Sequence, residues 1–445
     1  MKRSDKMKHC YTRILPSLVF LLGSLHVSAL SLKAEETEVP EDYTLKEVVI
    51  LSRHNIRAPL STAGSAVDLA TPHEWTDWSS NASELSLRGG TLETEMGQYF
   101  RKWLESEEFI PENWRPQGEE VRFYANAKQR TIATAEYFGG GFLPVGNISI
   151  ETHQEYDKMD PVFTPQLTFV NDAYAKDAEK QMQETLTDLS DEYALLSDVI
   201  DYTESKGYQS GELTDFRTDD MEFVLKENAE PGTKGSLRQA TSISDALVLQ
   251  YYEEPDATKA AFGNDLTEEQ WKDISEIKDA YVDMLYTTPL VAPNVAHPLL
   301  QEIQKELNHP GRKFTFLCGH DSNLASVLAS LRTKEYTLPG AIESDTPIGA
   351  KLVFEKYADN AGEEYARVRL VYQSTEQLRS MPLLTLDNPP MSVTLQFEDM
   401  DVNEDGLIPL DALEARFTES IRRYDELRQE YGITAAGSIP DTGVR

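Results

Sequence analysis

Two segments combine arginine, histidine and aspartate in patterns suited to chemistry on an anion. Residues 53–59 read RHNIRAP and residues 319–323 read GHDSN, and a third segment contributes Arg130. Guanidinium groups are planar, permanently charged and forked, so Arg53, Arg57 and Arg130 are suited to gripping the oxygens of a tetrahedral dianion. The sequence therefore predicts an anion site assembled from three distant segments.

The two histidines add a possible nucleophile. A neutral imidazole attacks phosphorus well near neutral or mildly acidic pH, so one of His54 and His320 could do so while the other binds a phosphate oxygen. Spacing alone does not choose between them. Asp321 could protonate the leaving oxygen and then, as a carboxylate, activate water. An isolated Arg-His pair would more often be a surface salt-bridge site, but the linked set predicts phosphoryl chemistry.

Each of these segments follows a predicted strand. Residues 45–51, 121–125 and 314–318 have strand character, and Cys318 is expected to be a buried strand residue rather than a catalytic thiol. Open α/β sheets place their ligand crevice at the carboxyl ends of strands, so the three segments should meet there. Further strands are predicted at 351–357 and 366–372, and helices at 92–104 and 131–138.

The pattern changes to amphipathic helices between residues 166 and 288. Apolar residues keep helical spacing from Met182 to Ile200, and two more helices are predicted at 243–251 and from the capping box TEEQ at 267–270. The connection at 206–235 is predicted to be a mobile loop. We therefore expect an α/β fold with a mostly parallel central sheet flanked by helices. Its core, residues 40–165 and 289–445, would be interrupted by an inserted all-α lid domain at 166–288.

The first residues resemble an export signal. Basic side chains precede an apolar run at 14–25, and small residues follow, which predicts a signal peptide at 1–29 and a periplasmic or secreted protein. The apolar run is shorter than the roughly 20 residues that span a bilayer, so no membrane association is expected after the signal is removed.

Charge restricts the choice of partner. The chain has 76 acidic and 42 basic residues and a formal net charge of -34. This charge repels nucleic acids and anionic membrane surfaces, which leaves a small molecule as the expected partner. The sequence does not indicate an oligomeric state.

An acidic segment near the carboxyl end has two interpretations. Residues 401–406 read DVNEDG, like the first half of an EF-hand loop, but Ala412 stands where the bidentate glutamate of such a loop belongs. The segment is either an incomplete calcium loop or an acidic turn at Asp405-Gly406, and the missing glutamate favours the turn.

RHNIRAP and HDSN resemble the two signatures of the histidine acid phosphatase family, which is branch 2 of the histidine phosphatase superfamily and includes phytases. The similarity runs from about residue 41 to about residue 425. It is greater to the bacterial glucose-1-phosphatase branch of that family, because of the stretches 129–135 (QRTIATA), 159–161 (MDP), 249–253 (LQYYE) and 346–349 (TPIG).

The resemblance implies an enzyme that hydrolyses phosphate monoesters, such as glucose 1-phosphate, without a metal or another cofactor. It implies that His54 is the nucleophile, that His320 is a phosphate ligand and that Asp321 is the proton donor. The three arginines would bind phosphate. Glu230 would be a lid residue whose carboxylate repels substrates with many phosphates, although a solvated loop glutamate is the alternative.

Three alternatives to a sugar phosphatase stay open at this point. One is a phytase-type inositol phosphate phosphatase, the second is a phosphoryl transferase of the phosphoglycerate mutase type, and the third is a sugar-phosphate binder without activity. Members of the family usually carry several disulfides, whereas Met400 and Ile408 occupy positions where a cysteine pair would be expected. Stability must therefore come from the core.

Overall fold

The computed structural model describes residues 39–433, so the signal peptide predicted at 1–29 lies outside the described residues. No helix in the described range has the length and apolar character needed to cross a membrane. The strands are β1 Tyr43–Arg53, β2 Val121–Ala125, β3 Ile150–Glu151, β4 Glu222–Val224, β5 Gly232–Lys234, β6 Phe314–Gly319, β7 Lys351–Asp359, β8 Glu364–Tyr372, β9 Met391–Thr394 and β10 Ile408–Pro409. The helices are α1 Ala66–Leu69, α2 Leu87–Ser106, α3 Gln129–Phe142, α4 Asp172–Thr185, α5 Ser190–Val199, α6 Lys206–Ser210, α7 Ser236–Glu253, α8 Ala257–Ala260, α9 Glu268–Tyr286, α10 Ala292–Leu307, α11 Asp321–Ser330, α12 Thr375–Ser380 and α13 Leu410–Glu430.

The main sheet has the strand order β10-β8-β7-β1-β6-β2-β3, with β9 paired to β8. The strands β1, β6, β2 and β3 are parallel to one another, whereas β7 pairs antiparallel with both β1 and β8, and β9 and β10 pair antiparallel with β8. Arg53 lies beside Gly319, and Ala125 lies beside Cys318. This register brings the carboxyl ends of β1, β2 and β6 to the same edge, where the three predicted segments begin.

Helices cover the sheet, and the prediction of an α/β fold with a central sheet flanked by helices is confirmed. One apolar layer joins β1, β2 and β6 to α2 and α3, with Phe100, Phe138 and Phe316 at its centre. Another joins the sheet to α10, α11 and α13. A third apolar cluster lies among α4, α5, α7 and α9. The site is thus held by strands that are buried on both faces.

The inserted segment is not entirely helical, so the prediction of an all-α insertion is wrong. β4 and β5 form a two-stranded antiparallel sheet within it, and α6 begins at Lys206, where a loop was predicted. These strands are too short to show an alternating pattern in sequence. The long helix predicted at 182–200 is two helices, because the Asp188 carboxylate accepts from the backbone and the hydroxyl of Ser190 and starts α5 anew.

Cys318 is a fully buried strand residue with a free thiol, as expected.

The acidic segment at 401–406 forms a turn, as the missing glutamate predicted. The Asn403 side chain accepts from the backbone of Asp405 and Leu407, and Gly406 has a φ of 79°. The Asp405 carboxylate accepts from the Tyr43 hydroxyl at 2.7 Å, which ties this turn to β1.

A buried ion pair supports the first motif from behind. Glu93 on α2 and Lys351 on β7 are both fully buried and lie 2.7 Å apart. The same Glu93 oxygen accepts from the Asn55 amide at 2.9 Å, which fixes the residue after His54. α2 approaches so closely that a Cβ on Gly89 would lie 2.3 Å from the Ile56 carbonyl oxygen. The RHN segment is therefore clamped between α2 and β7.

We predict that Lys351→Met destabilises the fold by about 3–5 kcal/mol, because it leaves Glu93 buried without a counter-charge. Denaturant unfolding followed by circular dichroism measures the change. Lys272→Met on α9 removes a solvent-exposed pair with Glu268 and should change the free energy of unfolding by less than about 0.5 kcal/mol. Equal effects of the two substitutions would contradict a structural role for the buried pair.

Candidate active site

His54 follows the last residue of β1 and is almost completely buried. Its backbone is fixed on both sides, since its N–H donates to the Gly319 carbonyl and its own carbonyl accepts from the Gly349 N–H. The ring Nδ1 lies 2.9 Å from the Asn55 carbonyl oxygen, which can only accept a hydrogen bond. Nδ1 therefore carries the proton, and Nε2 of His54 presents a lone pair.

His320 has the opposite arrangement. The Asn126 side-chain oxygen accepts from the Asp160 backbone at 2.9 Å, so its amide nitrogen faces His320 Nε2 and donates to it at 2.7 Å. The lone pair of His320 is thereby occupied, and its proton is on Nδ1. Arg130 Nη2 lies 3.4 Å from that Nδ1. Two donors thus converge on one position, which suits an anionic oxygen.

The two imidazoles lie edge to face in the crevice, with ring centroids 5.5 Å apart and ring planes at 73° to each other. Burial, followed by the positive charges of Arg130 and Arg57, lowers the pKa of both histidines well below the usual range. Both rings are therefore neutral at the mildly acidic pH where a phosphate monoester is a mono- or dianion. A neutral His54 keeps its Nε2 lone pair.

The guanidinium groups are held by carboxylates and by backbone. Arg53, the last residue of β1, is paired with Glu343 and donates to the Thr346 carbonyl. Arg57 lies 2.9 Å from Asp245 of α7. In the described part of the chain, the Nε atoms of Arg53, Arg57 and Arg130 are buried without a hydrogen-bond partner. Buried unpaired donors are costly, so this arrangement favours an oxygen-rich anion as the ligand.

Arg130 and Asp321 both lie at helix amino termini. Arg130 is the second residue of α3, and Asp321 is the first residue of α11. Burial, followed by the charge of Arg57, lowers the pKa of Arg130 to about 10, so the side chain stays protonated. The unpaired N–H groups and the dipoles of these helix ends add favourable potential for a phosphate.

Asp321 is surrounded by cations. Its carboxylate lies 3.5 Å from Arg53 and 3.2 Å from Lys278 of α9, and it accepts from the Ser322 backbone at 2.8 Å. Burial raises the pKa of Asp321, but the charges of Lys278 and Arg53 outweigh it and hold this pKa well below the usual range. The carboxyl is thus placed beside the phosphate position, mostly ionised before an anion binds.

Glu230 lies in the connection before β5 at the mouth of the crevice and is exposed to solvent. Although its side chain reaches solvent, the protein around its carboxyl group displaces enough water to raise its pKa against the effect of Arg130, and the Asp321 carboxylate and the Tyr286 hydroxyl also face it. The loop glutamate is therefore close to the phosphate position, not remote from it.

All the residues predicted from the motifs, together with Glu230, are brought to this one crevice. The sequence interpretation missed four supporting residues: Asn126, Asp245, Lys278 and Glu343. A signal for Lys278 was present, because it stands four residues after Ile274 on the apolar face of α9, where the helical period calls for a hydrophobic side chain. Glu343 lies in a loop and had no comparable signal.

Comparisons with known proteins agree with this geometry. The sequence model of the histidine phosphatase superfamily (branch 2) matches residues 44–373. Glucose-1-phosphatase of Salmonella typhimurium is 38% identical over 388 residues, which are 86% of this chain and 94% of that protein. Glucose-1-phosphatase of Providencia rettgeri is 36% identical, over 83% of this chain and 90% of that protein.

A solved structure has the same architecture. The apo form of Hafnia alvei phytase superimposes with a TM-score of 0.78 at 29% identity, covering 86% of this chain and 98% of that one. The fold, the assembled crevice and these matches lead to one conclusion. The chain belongs to branch 2 of the histidine phosphatase superfamily and is a histidine acid phosphatase that hydrolyses phosphate monoesters.

Proposed function

We propose that hydrolysis proceeds through a phosphohistidine on His54, with Asp321 as the proton donor. The observation that carries this assignment is the hydrogen-bond pattern of the two imidazoles. His54 donates a hydrogen bond from its Nδ1–H to the Asn55 carbonyl and keeps Nε2 free, whereas the Nε2 lone pair of His320 accepts from the Asn126 amide. Only one of the two rings therefore offers a nucleophilic nitrogen to the crevice.

In the first step, His54 Nε2 attacks phosphorus as the bond to the leaving oxygen breaks. Arg53, Arg57 and Arg130 bind the non-bridging oxygens and stabilise their charge in the transition state. His320 Nδ1–H donates to one of these oxygens. The proton of the Asp321 carboxyl passes to the leaving oxygen, so an alcohol departs and the carboxylate remains.

In the second step, the Asp321 carboxylate takes a proton from water as the water oxygen attacks the phosphorus of the phosphohistidine. The nitrogen–phosphorus bond breaks, inorganic phosphate leaves, and His54 recovers its neutral form. Asp321 is protonated again for the next cycle. The same carboxyl thus serves as acid and then as base.

His54→Ala should lower kcat by more than about a thousandfold and abolish a phosphoenzyme that is labelled by a radioactive substrate, because the attacking nitrogen is lost. Rapid-quench labelling followed by gel analysis measures the intermediate. His309→Ala, at a histidine that precedes the amino end of β6, is the control and should keep both activity and labelling. Normal turnover by His54→Ala would rule out this mechanism.

Asp321→Asn should slow phosphoenzyme formation by about a hundredfold or more for alkyl phosphates and by much less for aryl phosphates. An aryl oxide leaves without a proton, whereas an alkoxide requires one. Single-turnover rates with glycerol 2-phosphate and 4-nitrophenyl phosphate provide the comparison. Equal losses on the two substrates would argue against Asp321 as the proton donor.

For the natural substrate we propose glucose 1-phosphate or a similar sugar phosphate, with inositol phosphates as the alternative class. The two glucose-1-phosphatases cover most of this chain, and their identity to it is higher than that of the Hafnia phytase. Glu230 supports the narrower choice, because its carboxylate at the mouth lies where the further phosphates of an inositol hexakisphosphate would have to pass. A sugar hydroxyl has no charge to be repelled there.

Glu230→Ala should raise kcat/KM for inositol hexakisphosphate several-fold and change kcat/KM for glucose 1-phosphate little, because only the polyanion is repelled. Phosphate release assayed in parallel on both substrates measures the ratio. Glu227→Ala removes an exposed glutamate of the same connection and is the matched control. An unchanged ratio in Glu230→Ala would remove this residue from the specificity site.

We propose further that the protein is exported to a periplasm or secreted, and that residues 166–288 act as a lid domain over the crevice. The basic and apolar segments at the amino end support export. The net charge of -34 repels nucleic acids, which is consistent with a protein that acts outside the cytoplasm. Asp245 on α7, Lys278 on α9 and Glu230 all reach the crevice from this inserted segment, which supports its role in covering the substrate.

A further inference from the structure

Lys278 is a buried cation that the proposed mechanism does not use. It projects from the apolar face of α9, between Ile274 and Leu285, and only 6% of its surface is exposed. Desolvating an ammonium group is costly, so a lysine persists at such a position only where carboxylates compensate it. The residue therefore has a role beyond packing.

The ammonium group is anchored by two carboxylates and directed at a third. Its nitrogen lies 3.3 Å from Glu343 and 3.6 Å from Asp279, both buried. Asp279 also accepts from the backbone and the hydroxyl of Ser344, and Glu343 accepts from the Ile348 backbone at 2.8 Å. These anchors leave Lys278 in contact with Asp321 at 3.2 Å.

The other charged and titratable groups that face Asp321 come from every element around it. β1 and the residue after it contribute Arg53 and His54, and α3 contributes Arg130. His320 precedes it in the chain. From the inserted segment come Glu230 and Tyr286, in addition to Lys278 itself.

These groups differ in what else they do. Arg53 and Arg130 bind phosphate in the proposed mechanism, and a bound dianion offsets their charge. Lys278, in contrast, makes its ion pairs with Asp279, Asp321 and Glu343, so it stays beside the Asp321 carboxyl while the arginines bind phosphate. Burial and the charge of Arg53 oppose protonation of Lys278, but its three carboxylates raise its pKa above the usual value, so it is charged throughout the working range.

We infer that Lys278 is a positioning residue that fixes the Asp321 carboxyl beside Arg53 and confines its protonated, proton-donating form to acidic pH. This inference rests on the proposed role of Asp321 as the general acid. A permanent cation next to the donor favours the carboxylate, which is the form needed as the base for dephosphorylation. It correspondingly reduces the fraction of enzyme able to protonate an alkoxide as the pH rises. Lys278 thus restricts turnover of poor leaving groups to acid conditions.

The test compares kcat for glycerol 2-phosphate with kcat for 4-nitrophenyl phosphate as a function of pH. Taking the ratio of the two rates cancels effects common to both substrates. In the unaltered enzyme the ratio should fall as the pH rises, because only the alkyl phosphate needs the Asp321 proton. In Lys278→Met the fall should move to higher pH by about one unit or more, the size of effect that an opposite charge at this distance exerts.

Lys278→Arg retains the charge and should move the ratio profile by only a few tenths of a unit. Lys272→Met, at an exposed lysine on the same helix, should leave it in place. Lys278→Gln provides a second neutral variant, and circular dichroism with thermal unfolding checks that each protein folds. The inference would be overturned if the rate ratio of a folded neutral variant fell at the same pH as in the unaltered enzyme. Failure of both Lys278→Met and Lys278→Gln to fold would overturn it as well.

Asp321→Asn separates this inference from the mechanism on which it rests. If that variant keeps the pH-dependent ratio, Asp321 is not the general acid, and the proposed function fails together with the inference. If Asp321→Asn abolishes the pH dependence while Lys278→Met leaves the profile unchanged, the mechanism stands and the role of Lys278 alone is refuted.

Discussion

The crevice depends on the balance of charge in a buried space. Arg53, Arg57, Arg130 and Lys278 are all withdrawn from bulk water, and desolvation of so many cations is tolerated only with compensating negative charge. Carboxylates supply part of it, but the Nε atoms of the three arginines keep unpaired donors. A phosphate group completes the balance. The unpaired arginine donors that make the crevice costly in free energy without an anion are therefore the same groups that favour binding of the substrate phosphate.

The same charges set the protonation states on which the chemistry depends. Two imidazoles within a ring of guanidiniums stay neutral, so one of them can attack phosphorus. The nearby hydrogen bonds then separate their roles, since a backbone carbonyl holds the proton of His54 on one nitrogen and the Asn126 amide occupies the lone pair of His320. Two chemically identical side chains thus present different nitrogen atoms because their neighbours differ.

The sheet supplies the rigidity that this balance requires. Charged groups can be held a few ångströms apart only if their backbones do not yield, and β1, β2 and β6 are buried on both faces. Behind them, the Glu93–Lys351 pair and the close approach of α2 at Gly89 fix the segment that carries His54. The inserted segment adds charges from the other side, through Asp245, Lys278 and Glu230. The crevice thus lies between the main sheet and the inserted segment.

The sequence by itself determined the strands that lead into the motifs and the family, because strand pattern and motif spacing are local properties of the chain. It also named the arginine and histidine side chains that the fold brings together in the crevice. It also carried an unread signal for Lys278, a lysine at a core position of an amphipathic helix. Only the tertiary structure decided which histidine keeps a free lone pair and which carboxylates balance the arginines. It likewise decided that the helical insertion contains a β-hairpin. The hydrogen bond from His54 to the Asn55 carbonyl depends on the exact path of the backbone. The hydrogen bond from Asn126 to His320 and the contacts of Glu343 and Asp245 join residues distant in sequence. Neither kind of information is present in a linear pattern of residues.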